Sequence, residues 1–413
     1  MSTRKEKIPI VRFRAFSEPW FQNQLSEVAE FSKGRGYSKK AIQPQGTPII
    51  LYGRLYTKYE SVISNIDTYA NMEKNSVISE GGEVIIPASG ESAAEISRAS
   101  CVTDGGVILG GDINIVKPHE SLASSFIAIT LSNGSQQREL SKCAQGKSVV
   151  HLHNSDLKAV KLFYPSYEEQ SAIGTLFRTL DDLLSSYKDN LTNYQSLKAT
   201  MLSKMFPKAG QTVPEIRLDG FEGEWVEKRL KDISKRVTRK NNDLVSERAL
   251  TISAQFGLID QEEFFQKKIA SKDVSGYYLI KKGEFAYNKS YSTGYPLGAI
   301  KRLDKYENGV LSTLYILFKA VDIDSDYLAH YYESDKWHRE VSMCAAEGAR
   351  NHGLLNIAPA DFFNTRLVIP KELAEQQAIG AYFSNLDNLI NSYQEKITQL
   401  ETLKKKLLQD MFI

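Results

Sequence analysis

Histidine pairs, glycine-rich turns and clustered carboxylates are where chemistry would be sought first, and each falls short of a complete constellation. Gln145-Gly146-Lys147-Ser148 reads like the end of a phosphate-binding loop, but the glycine such a loop needs at position 141 is Ser141. Gly105-Gly106 and Gly110-Gly111 lack the GxGxxG spacing and suit the turns of a strand pair. His151 and His153 sit two apart, as two ligands on one strand face would, with no neighbouring Cys or acidic cluster to finish a metal site. There is no HExxH, GxSxG or kinase signature, and no Pro-Pro dipeptide of the kind found in amine-methylating loops. No acidic pair is followed by Glu-x-Lys as in a nuclease metal site. The chain reads as non-catalytic by itself, with neither metal nor cofactor of its own.

Basic residues interleaved with glycine and aromatics are the chemistry that does recur. The first half carries Lys33–Lys40 (KGRGYSKK), Gly53–Tyr59 (GRLYTKY), Ser89–Ser92 and Gln136–Arg138. The second carries Lys235–Asn242 (KRVTRKNN), Asn288–Tyr291 and Gly348–Gly353 (GARNHG). Lys and Arg neutralise phosphates, while Arg, Asn, Gln and Glu read base edges. On type and loop position, the candidates for DNA contact are Arg35, Lys39, Arg54, Lys58 and Arg138 in the first half. In the second they are Arg236, Arg239, Lys289, Arg350 and Asn351.

The whole chain supplies no field to assist them: 52 Lys+Arg face 50 Asp+Glu over 413 residues. Local patches or a partner must provide the potential that draws a polyanion in. Cys101, Cys143 and Cys344 are far apart and form no CxxC, which suits a reducing compartment rather than a disulfide scaffold. The first residues, MSTRKEKIPIVRF, lack a signal-peptide stretch, and no apolar run nears the roughly 20 residues of a membrane helix, so a cytoplasmic protein is expected.

The elements that would position these loops are written twice. Residues 169–206 (EQSAIGTLFRTLDDLLSSYKDNLTNYQSLKATMLSKMF) and 375–412 (EQQAIGAYFSNLDNLINSYQEKITQLETLKKKLLQDMF) align without a gap at an offset of about 206. A second echo opens each half: Pro9, Arg12, Phe16, Trp20 and Leu25 match Pro214, Arg217, Phe221, Trp225 and Leu230. Between the echoes lie two bodies, about 30–160 and 235–365, that hardly resemble one another.

Each repeated segment predicts one long helix with a coiled-coil seam. Phe177, Leu180, Leu184, Tyr187 and Leu191 step 3 or 4 apart, as do Phe383, Leu386, Ile390, Tyr393 and Ile397, and later Leu400, Leu403 and Leu407. Matched stripes in one chain predict that the two helices pair with each other. Antiparallel pairing would relate the halves by a pseudo-twofold axis. At about 1.5 Å per residue each helix runs roughly 50–55 Å.

The bodies read as mixed α/β. Expected strands are Pro48–Tyr52, Glu83–Pro87, Gly106–Leu109, Ser125–Thr130, Leu250–Ser253, Glu284–Tyr287 and Gly309–Phe318. Expected helices are Asp326–Glu333 and Lys336–Ala346, and the one clear linker is Pro207–Pro214.

Duplicated EQxAIG helices ending in Met-Phe, Pro-x-[Val/Ile]-Arg openings, and the strand starts Gly82-Glu83 and Gly283-Glu284 resemble the specificity subunits of type I restriction-modification enzymes along the whole chain. Gly348–Leu354 resembles a motif of one class of that family's recognition domains. The resemblance implies an α+β chain with two target recognition domains, 1–165 and 208–370, and two repeated helices, 166–207 and 371–413, in an antiparallel intramolecular coiled coil. It implies that each body reads half of a bipartite DNA target, and that the coiled coil sets the spacer and docks two methyltransferase subunits. Two translocase-nuclease subunits complete the assembly. Adenine-N6 methylation and cleavage, with S-adenosylmethionine, ATP and Mg, would then belong to those partners, and no membrane is involved. A coiled-coil scaffold unrelated to DNA accounts for the helices but not for the basic loops in both bodies. A cryptic nucleotide enzyme would rest on Gln145–Ser148 alone.

DNA half-sites read from one face repeat about every 34 Å, a span that a rod of this length can hold. Inserting one helical turn into both helices should lengthen the spacer of the methylated motif and leave both half-sites unchanged, which methylome sequencing reads directly.

Overall fold

The computed structural model describes residues 8–146, 149–253, 256–267, 270–271, 273–290, 294–344 and 355–413. These pack as two compact units: 1–188 together with 395–413, and 189–394. Each unit therefore holds one body and the near ends of both long helices.

In the first unit, Phe21–Gln24 pairs antiparallel with Lys161–Tyr164, closing the body just before the helix begins. A five-stranded sheet runs in the order 29–33, 113–118, 83–87, 100–102, 62–63, and a four-stranded one in the order 108–109, 47–50, 69–70, 42–43. In the second unit, Val226–Arg229 pairs with Arg366–Ile369 in the same way. Its main sheet runs 234–237, 316–320, 285–288, 299–302, and two further antiparallel pairs are 250–253/257–260 and 278–281/308–311.

Most expected strands are present, with two corrections. Ser125–Thr130 lies in a helix, Ser124–Leu131, in which residues 126–131 are all buried. A helix that is apolar on every side carries no periodicity to separate it from a buried strand. The run expected over Gly309–Phe318 is two strands, Asn308–Leu311 and Ile316–Ala320, broken by a turn at Ser312–Tyr315. The helices near 326 and 336 are observed as Ser325–Tyr331 and His338–Cys344.

The two long helices, Tyr167–Lys204 and Leu373–Asp410, have 38 residues each and pair antiparallel. In the first unit Phe177 meets Phe412, Asp181 meets Lys404 and Lys188 meets Glu401. In the second, Tyr194 meets Tyr393, Lys198 meets Asp387 and Phe206 meets Phe383. Along the seam Phe177, Leu180, Leu184, Phe383, Leu386 and Ile397 are buried, and Tyr187, Leu191, Ile390 and Tyr393 are half-buried. Leu403 departs from the expected stripe: it is exposed, and the adjacent Lys404 turns inward to Asp181.

The repeated motif is the joint between helix and body. Glu169 accepts a forked pair of bonds from Arg12 at 2.7 Å each, and Glu375 accepts the same fork from Arg217 at 2.7 and 2.8 Å. Both carboxylates are almost wholly buried, and an unpaired charge there would cost about 3–5 kcal/mol. Gln170 accepts from the Ala123 N–H and donates to the Pro165 carbonyl, and Gln376 does so with Asp324 and Pro370, all at 2.9 Å. The Val11 N–H bonds the carbonyl of Asp410, and that of Ile216 the carbonyl of Lys204, tying each opening segment to the end of the opposite or preceding helix. Trp20, Phe126, Phe412 and Phe177 form a chain of aromatic contacts in one unit as Trp225, Tyr327, Phe206 and Phe383 do in the other, the tryptophan edge-to-face in both.

The glycine of the motif is where a helix touches its body most closely. A Cβ at Gly380 would meet the Tyr327 backbone nitrogen at 2.8 Å and Asp326 Cβ at 2.9 Å, whereas one at Gly174 would press mainly on the rotatable Ser125 hydroxyl. Gly380→Ala should cost about 1–3 kcal/mol of overpacking. Gly174→Ala should cost less, offset by up to about 1 kcal/mol of helix propensity; urea unfolding of the two variants checks the order.

Candidate nucleic-acid interface

Arg35 projects from a turn that only glycine permits. Gly34 packs so closely on the backbone of Leu109 and Gly110 that a Cβ would collide, and the Gly111 N–H donates to the Gly36 carbonyl at 2.7 Å. Tyr37 follows with φ 58° and bonds Ser76 through its hydroxyl, so the exposed Arg35 and Lys39 stand on a pinned loop. The Gly110-Gly111 pair thus serves as the floor of this loop rather than as a phosphate cradle.

Arg54 and Lys58 lie on and just after a short helix, Arg54–Thr57. The Arg54 side chain is 8% exposed, pairs with Glu60 at 2.6 Å and Asp67 at 3.0 Å, and donates to the Asn65 carbonyl. Its charge is met within the fold. Lys58 is exposed and shares Asp67, whose carboxyl it holds below the usual range through a hydrogen bond. Lys58 and Arg138 do come together: both line an open hollow of about 1320 Å³ with Arg178, Lys188, Lys404 and Lys405.

In the second unit Arg236 is exposed on the edge strand Ser234–Val237. Arg239 forms two bonds to the buried carboxylate of Glu284, at 2.9 and 3.2 Å, and a third to the Leu279 carbonyl. Lys289 reaches the Ile357 carbonyl at 3.3 Å, and burial lowers its pKa. Arg350 and Asn351 lie outside the described residues.

The helix pair carries its own charge cluster in this unit. Lys198 lies 2.7 Å from Glu333 and 2.5 Å from Asp387, and Lys301 approaches Glu333 at 3.5 Å. His330 bonds Glu333 and Ser384, each at 3.3 Å. His330, Glu333 and Asp387 bring ligand atoms within 4.8 Å of one another, as a metal site would. The cation among them is the protein's own: the Lys198 ammonium bonds both carboxylates. Burial opposes charge on Lys198, but Glu333 and Asp387 outweigh it and raise its pKa. Burial likewise works against charge on Glu333, yet the His330 bond and the charges of Lys198 and Lys301 hold its carboxyl far below the usual range.

The isolated motifs resolve into structure. Gln145 exchanges two backbone bonds with His151, so the Gln145-Gly146 turn does not lead from a strand into a helix as a phosphate loop must; Lys147 and Ser148 lie outside the described residues. His151 and His153 stack with centroids 6.4 Å apart on the surface. No helix among the described residues is long and apolar enough to cross a membrane.

Residues 17–194 match the model of the type I restriction modification DNA specificity domain. The type I restriction enzyme MjaVIII specificity subunit of Methanocaldococcus jannaschii is 20% identical over 407 residues, 95% of this chain and 91% of that one. The crystal structure of the S subunit of a type I restriction-modification system from M. genitalium superposes with a TM-score of 0.59 at 14% identity, covering 98% of this chain and 99% of that one. The chain is thus similar to type I specificity subunits along nearly its whole length, and it shares the fold of the S subunit.

The amino-acid pattern alone did not single out Arg178 and Lys405, two of the basic groups that join Lys58 and Arg138 in the hollow. A signal was available: Arg178 stands where the second repeat has Ser384, and Lys405 where the first has Ala199. Departures from a repeat mark what one copy does alone. Glu333 was hidden because it lies in a diverged body, with no counterpart to compare.

Because the Glu333 pKa is depressed in the fold, its stabilisation is complete above the unfolded carboxyl value near 4.5 and is lost as pH falls below it. Glu333→Gln should therefore flatten the acid limb of the stability–pH curve between pH 5 and about pH 2, measured by urea unfolding across that range.

Proposed function

We propose that this chain selects the DNA sequence on which a type I restriction-modification complex acts. Residues 1–165 and 208–370 serve as the two recognition domains, each reading one half of a bipartite site. The helical segments 166–207 and 371–413 set the spacing between half-sites and dock two methyltransferase subunits, to which two translocase-nuclease subunits are added. Methyl transfer to adenine N6 with S-adenosylmethionine, and ATP- and Mg-dependent translocation and cleavage, reside in those partners. The complex works in the cytoplasm on duplex DNA.

The observation that carries this reading is the joint described above: Arg–Glu fork, glutamine clasp and aromatic contacts recur in both units while the bodies they hold differ. A module that must present two different surfaces in one defined way needs that combination. Among the loop candidates, Arg35, Lys39, Arg138 and Arg236 are exposed and keep their charge available for phosphate or base, while Lys58 is exposed but shares Asp67. Arg54, Arg239 and Lys289 shape the loops that carry them, and Arg350 and Asn351 are retained from the sequence.

Replacing 235–365 with the body of another family member should change one half of the methylated motif and keep the other half and the spacer, as mapped by adenine-methylation sequencing. A motif unchanged by the exchange, or altered in both halves, rejects the assignment. Mobility shifts of the chain with its methyltransferase partner should weaken steeply with salt, and salt-independent assembly without DNA would favour a protein scaffold.

A further inference from the structure

The two bodies share one structural corner whose charge has been inverted. In the first unit Glu30 lies opposite Lys117 in the antiparallel register, and Lys117 also bonds Glu80 at 2.5 Å. In the second unit Lys235 lies opposite Lys319 in the equivalent register. The correspondence extends to the third position. The N–H of Glu80 donates to Glu83 and that of Gly82 to the Val102 carbonyl; the N–H of Lys281 donates to Glu284 and that of Gly283 to the Leu303 carbonyl. Glu30, Glu80 and Lys117 are thus replaced by Lys235, Lys281 and Lys319.

All three lysines are exposed, and none of their ammonium groups makes an ion pair among the described residues. Glu284, the acidic group at the base of the corner, is already committed to Arg239. Like charges directly opposite on neighbouring strands are destabilising. Lysine on an edge strand is a common guard against strand addition, which would account for Lys235. It does not account for Lys319, which lies on the second strand of the sheet, or for Lys281, which lies outside that sheet. The first body shows that this corner can be neutralised by acidic residues at two positions; the second body leaves it empty of them.

We propose that Lys235, Lys281 and Lys319 form a phosphate-backbone contact of the second body, made without regard to base sequence and lacking a counterpart in the first. Resting on the DNA-specificity reading above, it assigns the two recognition domains unequal shares of the electrostatic work. Lysines suit this role: each is a mobile point charge that tracks phosphate without the fixed fork geometry by which arginine reads a base.

The test uses the full chain assembled with its methyltransferase partner and a duplex bearing the motif mapped from the host methylome. Affinity is measured across a salt series. Each phosphate contact contributes about 0.9 to the slope of log K against log salt, so replacing all three lysines by Gln should reduce the slope by about 2.7 and leave the methylated motif unchanged. The Glu80→Gln/Lys117→Gln double variant in the first body should leave the slope as it is. Lys235→Glu, which recreates the Glu30–Lys117 pairing, should raise the melting temperature while weakening DNA binding. A wild-type slope in the triple variant, with site-specific binding intact, overturns the proposal alone. So does an unchanged slope with loss of methyltransferase association, which would make the corner a protein contact. Failure of the wild-type assembly to bind any duplex rejects instead the reading on which the proposal stands.

Discussion

Two buried carboxylates govern this molecule. Glu169 and Glu375 sit in the first turns of the long helices with almost no access to water, where an ionised carboxylate is tolerable only if paired and hydrogen-bonded. Their partners, Arg12 and Arg217, come from opening segments more than 150 residues earlier in the chain. Satisfying each carboxylate therefore requires the opening strand, the body and the helix start to be assembled together. The fork fixes orientation as well as proximity, and both arginines are held above their usual pKa by the hydrogen bond to glutamate. The Gln170 and Gln376 clasps finish the joint by bonding backbone groups that the helix starts would otherwise bury unpaired.

From that joint follows a division between what is held constant and what is free to differ. The contacts that seat the helices are nearly identical in the two units, down to the Asp181–Lys404 and Asp387–Lys198 pairs. The bodies differ in sheet order, in loop length and in how they handle charge. Basic side chains fall into two groups: Arg54 and Arg239 are neutralised internally and stiffen the structure around them, while Arg35, Arg138 and Arg236 remain exposed. With the chain nearly neutral overall, the field a polyanion meets is built locally, body by body.

Much of this was legible in the amino-acid order, because repetition is a signal that survives without any structure. Gapless matching of 169–206 with 375–412 declared two long helices and their pairing, and the periodic apolar positions named a seam that is largely the buried one. The openings were legible as repeats, but not their purpose: nothing in the spacing of Arg12 and Glu169 says that they touch. The helix at Ser124–Leu131 was misread as a strand because it is apolar on every side. Leu403 was misassigned because the seam admits Lys404, which pairs with the half-buried Asp181 opposite.

What the sequence determined alone was the architecture of repetition: two like frameworks, two unlike bodies, two rods of equal length, and an absence of any complete catalytic motif in the letters themselves. Tertiary structure decided which charges are spent and which are spare. Arg35 and Arg54 look equivalent in the sequence, each in a glycine-flanked basic loop, yet one is exposed and the other closes on Glu60 and Asp67. The reason is physical. Hydrophobic periodicity is local and is written in consecutive residues, whereas the fate of a charge depends on the counter-charge that folding brings to it from elsewhere in the chain.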